Sequence, residues 1–128
     1  MLSLAAALLA FIQVDAERVQ FTICGSERRV TCVVDGDTFW LHRVKYRVAD
    51  IDAPEVSQPE CEREALLGDA ATLRLVQLLN DGAFSLTTHG KDRYGRTLAT
   101  VSRSSISLGE SLVNEGLARR WGDRRGWC

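Results

Sequence analysis

Alternating apolar and polar residues dominate the first half of the chain and predict four β-strands there. In the first run, Val19, Phe21 and Ile23 are separated by polar neighbours, so every second side chain would point to one face of a sheet. The dipeptide Asp35-Gly36 is a strong tight-turn signal between two of the runs. The predicted strands cover residues 19–23, 30–34, 38–42 and 45–51.

Between about Pro59 and Asn80 the apolar positions change to helical spacing, which predicts a long helix. Pro59 suits the first turn of a helix, and Asn80-Asp81-Gly82 is typical of a C-terminal stop. The predicted inward-facing stripe consists of Leu66, Ala70, Leu73 and Val76.

Two further strands and a shorter helix are predicted in the second half. The strands cover residues 84–88 and 97–102 and are joined through residues 89–92. Ser107 and Glu110 have the spacing of a capping box at the start of a helix. Leu112 and Val113 would face inward, and Gly116 would end this helix.

This order of elements predicts a mainly β fold with helices, of the α+β class. Short strands with a helix inserted before the last pair indicate a five-stranded barrel of the OB type with two helices. An open α+β sheet is the alternative.

Composition fits one globular domain and excludes a global attraction to nucleic acid. The chain has 128 residues, of which 45% are hydrophobic and 26% charged, and its net charge is −1. Any attraction to phosphates must therefore be local. Trp121 and Trp127 are interpreted mainly as core residues, and the nearby basic cluster is either a binding patch or a solvated terminus. That cluster consists of Arg119, Arg120, Arg124 and Arg125.

The N-terminal residues 1–16 are predicted to be an export signal, which leaves a single domain over residues 17–128. Leu2 to Val14 is nearly all apolar and contains no lysine or arginine, and Val14-Asp15-Ala16 suits a signal peptidase. The run is too short to span a bilayer comfortably. We therefore expect a periplasmic or secreted protein with no stable membrane association after processing. A buried N-terminal helix is the alternative.

Four cysteines are consistent with an oxidising compartment. They lack C-x-x-C spacing and only two histidines are present, so a zinc site is not expected. Cys24 and Cys32 flank a predicted hairpin turn, which would set them opposite each other, and Cys61 could then pair with Cys128. Four cysteines allow three pairings, and four free thiols are the alternative.

Two carboxylates stand where neighbouring strands begin and end. Asp37 follows the turn at Asp35-Gly36, and Asp52 ends the run over residues 45–51. Like charges brought together are costly unless a cation joins them, and oxygen ligands favour Ca²⁺ or Mg²⁺. Asp35 is interpreted as a turn residue, and an ordinary turn aspartate is the alternative for Asp37.

Arg47 and Arg96 are candidates for holding a phosphate. A guanidinium can donate two parallel hydrogen bonds to phosphate oxygens, where charge develops as the ester is cleaved. The alternative for Arg47 is a buried arginine paired with a carboxylate. The alternative for Arg96 is a solvated arginine on a hairpin.

Several segments, in order, resemble the signatures of the staphylococcal nuclease (thermonuclease) family. They are Asp35-Gly36-Asp37-Thr38, the R-x4-D-x-P-E element within residues 46–55, Asp92 to Ala99, and residues 112–118. The likeness covers about residues 28–121. It implies an OB-type barrel that here lacks the third, C-terminal helix of the best-known members.

The resemblance also implies a metal site. Calcium, with magnesium less expected, would be held by Asp37, Asp52 and the backbone carbonyl of Ala53. Threonine is common in the family where Ala53 stands, and alanine keeps the carbonyl while losing a hydroxyl contact.

The same resemblance implies catalytic and substrate-binding roles. Glu55 would be the general base that activates water, with a surface glutamate as the alternative. Arg47 and Arg96 would stabilise the phosphorane-like transition state. Arg93 and Tyr94 would bind substrate, and Tyr94 could equally be a packed hairpin aromatic residue.

The sequence therefore predicts a monomeric, metal-dependent nuclease that hydrolyses phosphodiester bonds of DNA, RNA or both. In the family, cleavage of the 5′ P–O bond leaves 3′-phosphates. Two alternatives remain open. The first is a non-catalytic nucleic-acid-binding module on an OB fold, and the second is a disulfide-stapled structural domain.

Overall fold

The structure is a computed structural model that describes residues 15–128, and this part of the chain contains nine strands and two helices. The strands are β1 (Thr22–Ile23), β2 (Cys32–Asp35), β3 (Thr38–Leu41), β4 (Val44–Val48), β5 (Ile51–Asp52), β6 (Ser85–Lys91), β7 (Thr97–Arg103), β8 (Ile106–Ser107) and β9 (Arg119–Arg120). The helices are α1 (Glu62–Asn80) and α2 (Leu108–Asn114). The predicted α+β class with two helices is confirmed.

One curved sheet carries most of the fold, in the order β1-β2-β3-β4-β7-β6, with β8 paired to β7. A backbone bridge between Glu17 and Phe84 joins the chain before β1 to the chain before β6. The two ends of the sheet therefore approach each other, as an OB-type barrel requires.

Some of the predicted strand runs break into shorter pieces. The run over residues 45–51 ends at Val48, and β5 pairs with β9 in a separate two-stranded sheet. Between them the Asp50 carboxylate accepts a hydrogen bond of 2.6 Å from the Ser107 hydroxyl. This contact draws the chain toward the start of α2, away from the main sheet.

The first two strands do not form the predicted hairpin. β1 pairs with β2 in the parallel direction, with Thr22 opposite Cys32. Because both strands run in the same direction, the chain between them crosses back to the end at which β1 began. Cys24 and Cys32 nevertheless form a disulfide, with a Cα–Cα distance of 4.9 Å. The second predicted disulfide, Cys61–Cys128, is also present, with a Cα–Cα distance of 6.0 Å.

Helix α1 begins less than one turn later than the pattern predicted, after Cys61 rather than at Pro59. The Cys61 sulfur caps the helix by accepting a hydrogen bond from the backbone N–H of Glu64. Pro59 therefore lies outside the first turn.

The predicted inward stripe of α1 is wrong for Leu66, Ala70 and Leu73, of which the two leucines are 63% and 51% exposed. Its fourth member, Val76, does pack against the core. The buried face is Glu64, Gly68, Ala71, Thr72, Leu75, Leu78 and Leu79. Its residues at positions 68, 71 and 72 are small, and at Gly68 the helix lies close to the neighbouring backbone. A Cβ at Gly68 would meet the carbonyl oxygen of Glu55 at 2.9 Å.

The core lies between the sheet and the two helices. It is built mainly from aromatic and aliphatic side chains, among them Phe21, Phe39, Phe84, Leu75 and Leu112. The short helix starts as predicted, because the Ser107 hydroxyl accepts from the backbone N–H of Glu110. Gly116 follows this helix with a positive φ of 75°.

The predicted export signal falls mostly on residues 1–14, which lie outside the described part of the chain, and the boundary after Ala16 stays a prediction. Asp15 is described, and its carboxylate accepts hydrogen bonds from the Ser85 hydroxyl at 2.8 Å and the Ser104 backbone N–H at 2.9 Å. No helix within residues 15–128 is both long and apolar enough to cross a bilayer.

Candidate active site

The turn between β2 and β3 is pressed against the chain that follows β5. A Cβ at Gly36 would lie only 2.7 Å from the Cβ atoms of both Ala53 and Ala71. Glycine is therefore needed for this close approach. The approach lets the Asp37 carboxylate accept a 2.8 Å hydrogen bond from the Ala53 backbone N–H. The two segments that carry the predicted metal ligands are thus in direct contact.

Arg47 lies on β4 and joins the two predicted metal-binding aspartates. Its Nη2 is 2.6 Å from Asp52 Oδ1 and 3.4 Å from Asp37 Oδ2. Its Nη1 donates to the backbone carbonyls of Val48 and Ile51, the latter at 2.8 Å. Arg47 is buried. It therefore makes the contacts of the alternative interpretation, a buried arginine paired with carboxylates, at the position that was predicted to hold phosphate.

Asp35 belongs to the same acidic group and is more than a turn residue. Its carboxylate accepts a 3.1 Å hydrogen bond from the Asp37 backbone N–H. Burial, together with the negative charges of Asp37 and Glu55, raises the pKa of Asp35 to about 7. The interpretation of Asp35 as a turn residue alone therefore missed an excess of negative charge beside Asp37.

Glu55 stands beside this acidic group with a free carboxylate. It makes no hydrogen bond or ion pair with any other residue in the range 15–128. Partial burial raises its pKa, as do the charges of Asp37 and Glu64, while Arg47 and Arg96 act in the opposite direction. Three of the predicted site residues, Asp37, Arg47 and Arg96, affect this pKa. Glu55 is therefore close enough to interact with them electrostatically.

The hairpin between β6 and β7 holds Arg96 and is organised by Asp92. The Asp92 carboxylate accepts from the backbone N–H groups of Tyr94 and Arg96 and, at 2.7 Å, from Arg96 Nε. Burial of Asp92 alone would raise its pKa, but the hydrogen bonds from Arg96 and Tyr94 outweigh it and lower the pKa. The turn itself spans residues 92–96, not the predicted 89–92, because β6 continues to Lys91.

Tyr94 is solvent-facing, with 67% of its surface exposed. The Arg93 guanidinium carbon lies 4.8 Å and that of Arg96 5.3 Å from its ring centroid. Arg93 also donates a 2.6 Å hydrogen bond to the Tyr94 hydroxyl. The ring is therefore bracketed by two cations instead of packed in a core.

A pocket of about 450 Å³ lies between this hairpin and the end of the chain. It is lined by Arg47, Ala49, Asp92, Arg93, Tyr94, Arg96, Leu98 and Trp121. Trp121 was expected mainly in the core, but it is 67% exposed and its ring centroid lies 5.4 Å from the Arg47 guanidinium carbon. Its backbone N–H donates to the Asp50 carbonyl at 3.0 Å, which holds the ring at the rim of the pocket.

The donor set of the acidic group fits a hard cation. Asp35, Asp37, Asp52 and Glu55 offer only oxygen ligands, and one guanidinium leaves part of their negative charge uncompensated. Burial, followed by the charge of Asp37, raises the pKa of Asp35, which is consistent with this excess.

A different trio of side chains lies closer together. Ligand atoms of Glu60, Glu64 and Cys128 come within 4.8 Å of one another, the only such group of three among residues 15–128. The Cys128 sulfur is bonded to Cys61, so it is not available as a thiolate ligand.

The sequence signals found most of these residues and missed three. Asp35, Asp92 and Trp121 each have a clear position in the site. Asp35 and Thr38 pair across the turn, and the Asp35 carboxylate accepts from the Asp37 backbone N–H, a contact typical of aspartate in turns. The turn signal at Asp35-Gly36 could therefore have indicated that both carboxylates lie close together. Nothing in the local pattern indicates Trp121, since its place depends on β9 pairing with β5.

Comparison with known proteins agrees with this geometry. The profile of staphylococcal nuclease homologues matches residues 45–125. The chain is 34% identical over 103 residues to an uncharacterized endonuclease of Haemophilus influenzae, covering 74% of this chain and 54% of that protein. It is 32% identical over 96 residues to the thermonuclease of Staphylococcus hyicus, covering 71% and 57% respectively.

A third relative, the micrococcal nuclease of Shigella flexneri, is 31% identical over 102 residues, which cover 70% of this chain and 55% of that protein. The chain thus spans little more than half the length of these relatives. The profile match extends over more than half of the chain and includes β4, the acidic segment after it and the β6–β7 hairpin. The chain belongs to the staphylococcal nuclease family.

Proposed function

We propose that this chain is a metal-dependent nuclease that hydrolyses phosphodiester bonds of DNA, RNA or both. The observation that carries the proposal is the contact of Asp37, Arg47 and Asp52 beside the unpaired carboxylate of Glu55. Relatives named thermonuclease and micrococcal nuclease support the same reaction class.

Glu55 is the proposed general base. A base must be ionised and free to accept a proton, and Glu55 has no competing donor within residues 15–128. Its raised pKa makes it a stronger base than a glutamate of ordinary pKa, and such a base contributes on the order of 10²–10⁴ in rate. The attacking water would give its proton to this carboxylate.

Arg96 and Arg47 provide the positive charge that meets the ester. Arg96 has a single carboxylate partner, Asp92, and lines the pocket, so its guanidinium can turn to a phosphate oxygen. Arg47 lines the same pocket and also forms ion pairs with Asp37 and Asp52. Donors held in place before reaction stabilise developing charge without reorganisation.

A divalent cation would be held by Asp37, Asp52 and the Ala53 carbonyl, with calcium preferred over magnesium. When bound, such an ion supplies Lewis-acid stabilisation of a phosphate oxygen. Ca²⁺ accepts the irregular mix of carboxylate and carbonyl ligands that these segments offer, whereas Mg²⁺ demands near-octahedral geometry.

A nicking assay on supercoiled plasmid tests this function. The unsubstituted chain should cut in the presence of calcium and stop with chelator, and Glu55→Gln should reduce the rate on the order of 10²–10⁴. Glu60→Gln is the matched control, because Glu60 is an exposed acid on the same segment. Cleavage that survives both chelator and Glu55→Gln would contradict the mechanism. Binding without cleavage would favour the alternative, a non-catalytic binding module.

The pH profile gives an independent test. Because a general base works only when deprotonated, cleavage should fall as the pH drops through a pKa above the ordinary 4.5 of glutamate. An acidic limb at or below pH 4.5 would argue against Glu55 as the base.

We also propose export of a monomeric protein. The apolar N-terminal run and two disulfides within residues 15–128 support it. Expression with and without residues 1–16, followed by cell fractionation and size-exclusion chromatography, tests both statements. Cell-retained protein with residues 1–16 still attached would reject the export signal.

A further inference from the structure

Beyond the pocket, arginine and tryptophan side chains continue along the end of the chain. Trp121 lines both the pocket and a neighbouring depression of about 310 Å³ that also contains Asp52 and Arg124. Asp123 lines both that depression and a third hollow of about 390 Å³. The three hollows therefore share walls and form one path.

The third hollow, here called the tail groove, lies between the helices and residues 119–127. Its walls include Arg63 and Leu67 of α1, Arg119 of β9, and Arg125 and Trp127. Arg119 lies over Trp127, with 4.2 Å between the guanidinium carbon and the ring centroid. Arg119 also donates to the backbone carbonyl of Arg125.

Positive charge along this path is only partly neutralised. Arg120 pairs with Glu110 at 2.8 Å and Arg125 with Asp123 at 2.6 Å. Arg63, Arg119 and Arg124 form no ion pair with a carboxylate among residues 15–128, although Arg119 also acts electrostatically on Asp123. In a chain of net charge −1, this local surplus marks a surface for polyanions.

The segment is built into the fold and is not a solvated terminus. Its start pairs with β5, the Trp121 N–H bonds to Asp50, and Cys128 is bonded to Cys61 at the start of α1. A covalent anchor at one end and a strand at the other hold Arg124 and Trp127 near fixed positions.

We propose that Arg63 and residues 119–128 form an extended binding path for single-stranded nucleic acid, which holds nucleotides away from the scissile phosphate. The inference rests on the proposed nuclease function. The exposed Trp121 ring, the half-buried Trp127 ring and the arginines beside them fit a single strand, because bases must be unstacked to lie on aromatic faces. OB folds bind roughly 4–16 nucleotides in this manner.

The first test measures binding of fluorescein-labelled thymidylate oligomers of 3 and 12 nucleotides by anisotropy, with chelator to prevent cleavage. The 12-mer should bind more tightly to the unsubstituted chain than the 3-mer. The double variant Arg63→Gln/Arg124→Gln should weaken 12-mer binding about tenfold. It should also lower the salt slope by about 1.4, since each phosphate contact on a single strand contributes about 0.7. Binding of the 3-mer should change little.

Arg28→Gln/Arg29→Gln is the matched control, because it removes two exposed arginines from the loop closed by the Cys24–Cys32 disulfide. Equal losses in both double variants would show a nonspecific charge effect and overturn the proposal. So would equal affinity of the unsubstituted chain for the 3-mer and the 12-mer.

Trp127→Ala tests the aromatic face separately and should weaken 12-mer binding about five- to 100-fold, whereas Trp127→Phe should retain most of it. Thermal melting identifies any variant that fails to fold, and the arginine pair then decides. If neither the unsubstituted chain nor any variant cleaves plasmid, but these affinities follow the expected order, the proposed nuclease function is wrong and the binding path is supported. Intact cleavage with unchanged affinities rejects the path alone.

Discussion

Arg47 and Arg96 line the same pocket but are held in different ways. Arg47 is buried on β4, and its terminal nitrogens contact two carboxylates and two backbone carbonyls. Arg96 lies half-buried at the end of a hairpin and pairs with Asp92. The first arginine is part of the framework, whereas the second can exchange its partner for a ligand.

This difference separates two effects of a charge in an active site. Breaking a buried ion pair leaves an uncompensated charge in a low-dielectric surrounding and costs stability. Removing a half-exposed arginine whose partner can be hydrated costs little stability, so its loss should be visible mainly in the rate.

The largest effect is expected for Arg47→Ala. Asp37 and Asp52 would then repel each other without a shared donor, and the free energy of unfolding should fall by about 3–5 kcal/mol. Urea unfolding measures this in chelator, and calcium should restore part of the loss. Arg43→Ala, an exposed arginine before β4, is the control. A loss below about 1 kcal/mol would show that Arg47 is not part of the framework.

Arg96→Ala should act on the rate instead. Loss of a preorganised donor typically lowers kcat about 10²–10³-fold, while the free energy of unfolding should change by less than about 1 kcal/mol. Single-turnover cleavage and urea unfolding measured on the same preparation check both values. A stability loss as large as that of Arg47→Ala would remove the contrast.

Asp35→Asn tests the acidic group that lies beside Arg47. The folded pKa of about 7 lies above the ordinary 3.8. Between these values the folded state binds more protons than the unfolded state, so stability falls as the pH rises. In chelator at pH 8 the variant should therefore be more stable by about 1–3 kcal/mol.

The gain should vanish near pH 4, because Asp35 is then protonated in the folded state and half-protonated in the unfolded state. Melting temperatures across pH 4–8 measure it. Asp81→Asn, at the end of α1, serves as the control. Equal stability of Asp35→Asn and the unsubstituted chain at pH 8 would mean that repulsion within the acidic group does not destabilise the fold.

The smallest effect is expected for Gly95→Ala. Gly95 has a φ of 78°, which costs a residue with a Cβ about 1 kcal/mol, although the space around it is open. Because this turn carries Arg96, the KM should rise slightly while the fold persists. Steady-state cleavage of an oligonucleotide detects the change. An unchanged KM would show that the hairpin tolerates strain without displacing Arg96.

Much of this fold could be predicted from local patterns. The tight turn at Asp35-Gly36, the cap at Ser107 and both long strands β6 and β7 are consequences of neighbouring residues. The wrong stripe on α1 has a different origin. Leucines occur on two faces of that helix, and the close approach of Gly68 to the Glu55 backbone decides which face is buried.

The site likewise combines features that the sequence predicts with features that depend on tertiary packing. Segment order was enough to bring Asp37 and Asp52 together in the prediction, but the geometry of Arg47 between them depends on tertiary packing. The pKa of Asp35 likewise depends on burial and on the charges of Asp37 and Glu55. No sequence pattern contains that information, because it arises from distances between segments far apart in the chain.

The Cys61–Cys128 bond has one more consequence. It closes a covalent ring across a sequence separation of 67 residues. Arg96, Tyr94 and Trp121 lie inside this ring, while Asp37, Arg47 and Glu55 lie on the free arm before it. Closure removes about 4 kcal/mol of chain entropy from the unfolded ensemble. An oxidised chain would thus assemble its cleft between a segment already closed into a large ring and an arm that carries only the small Cys24–Cys32 ring.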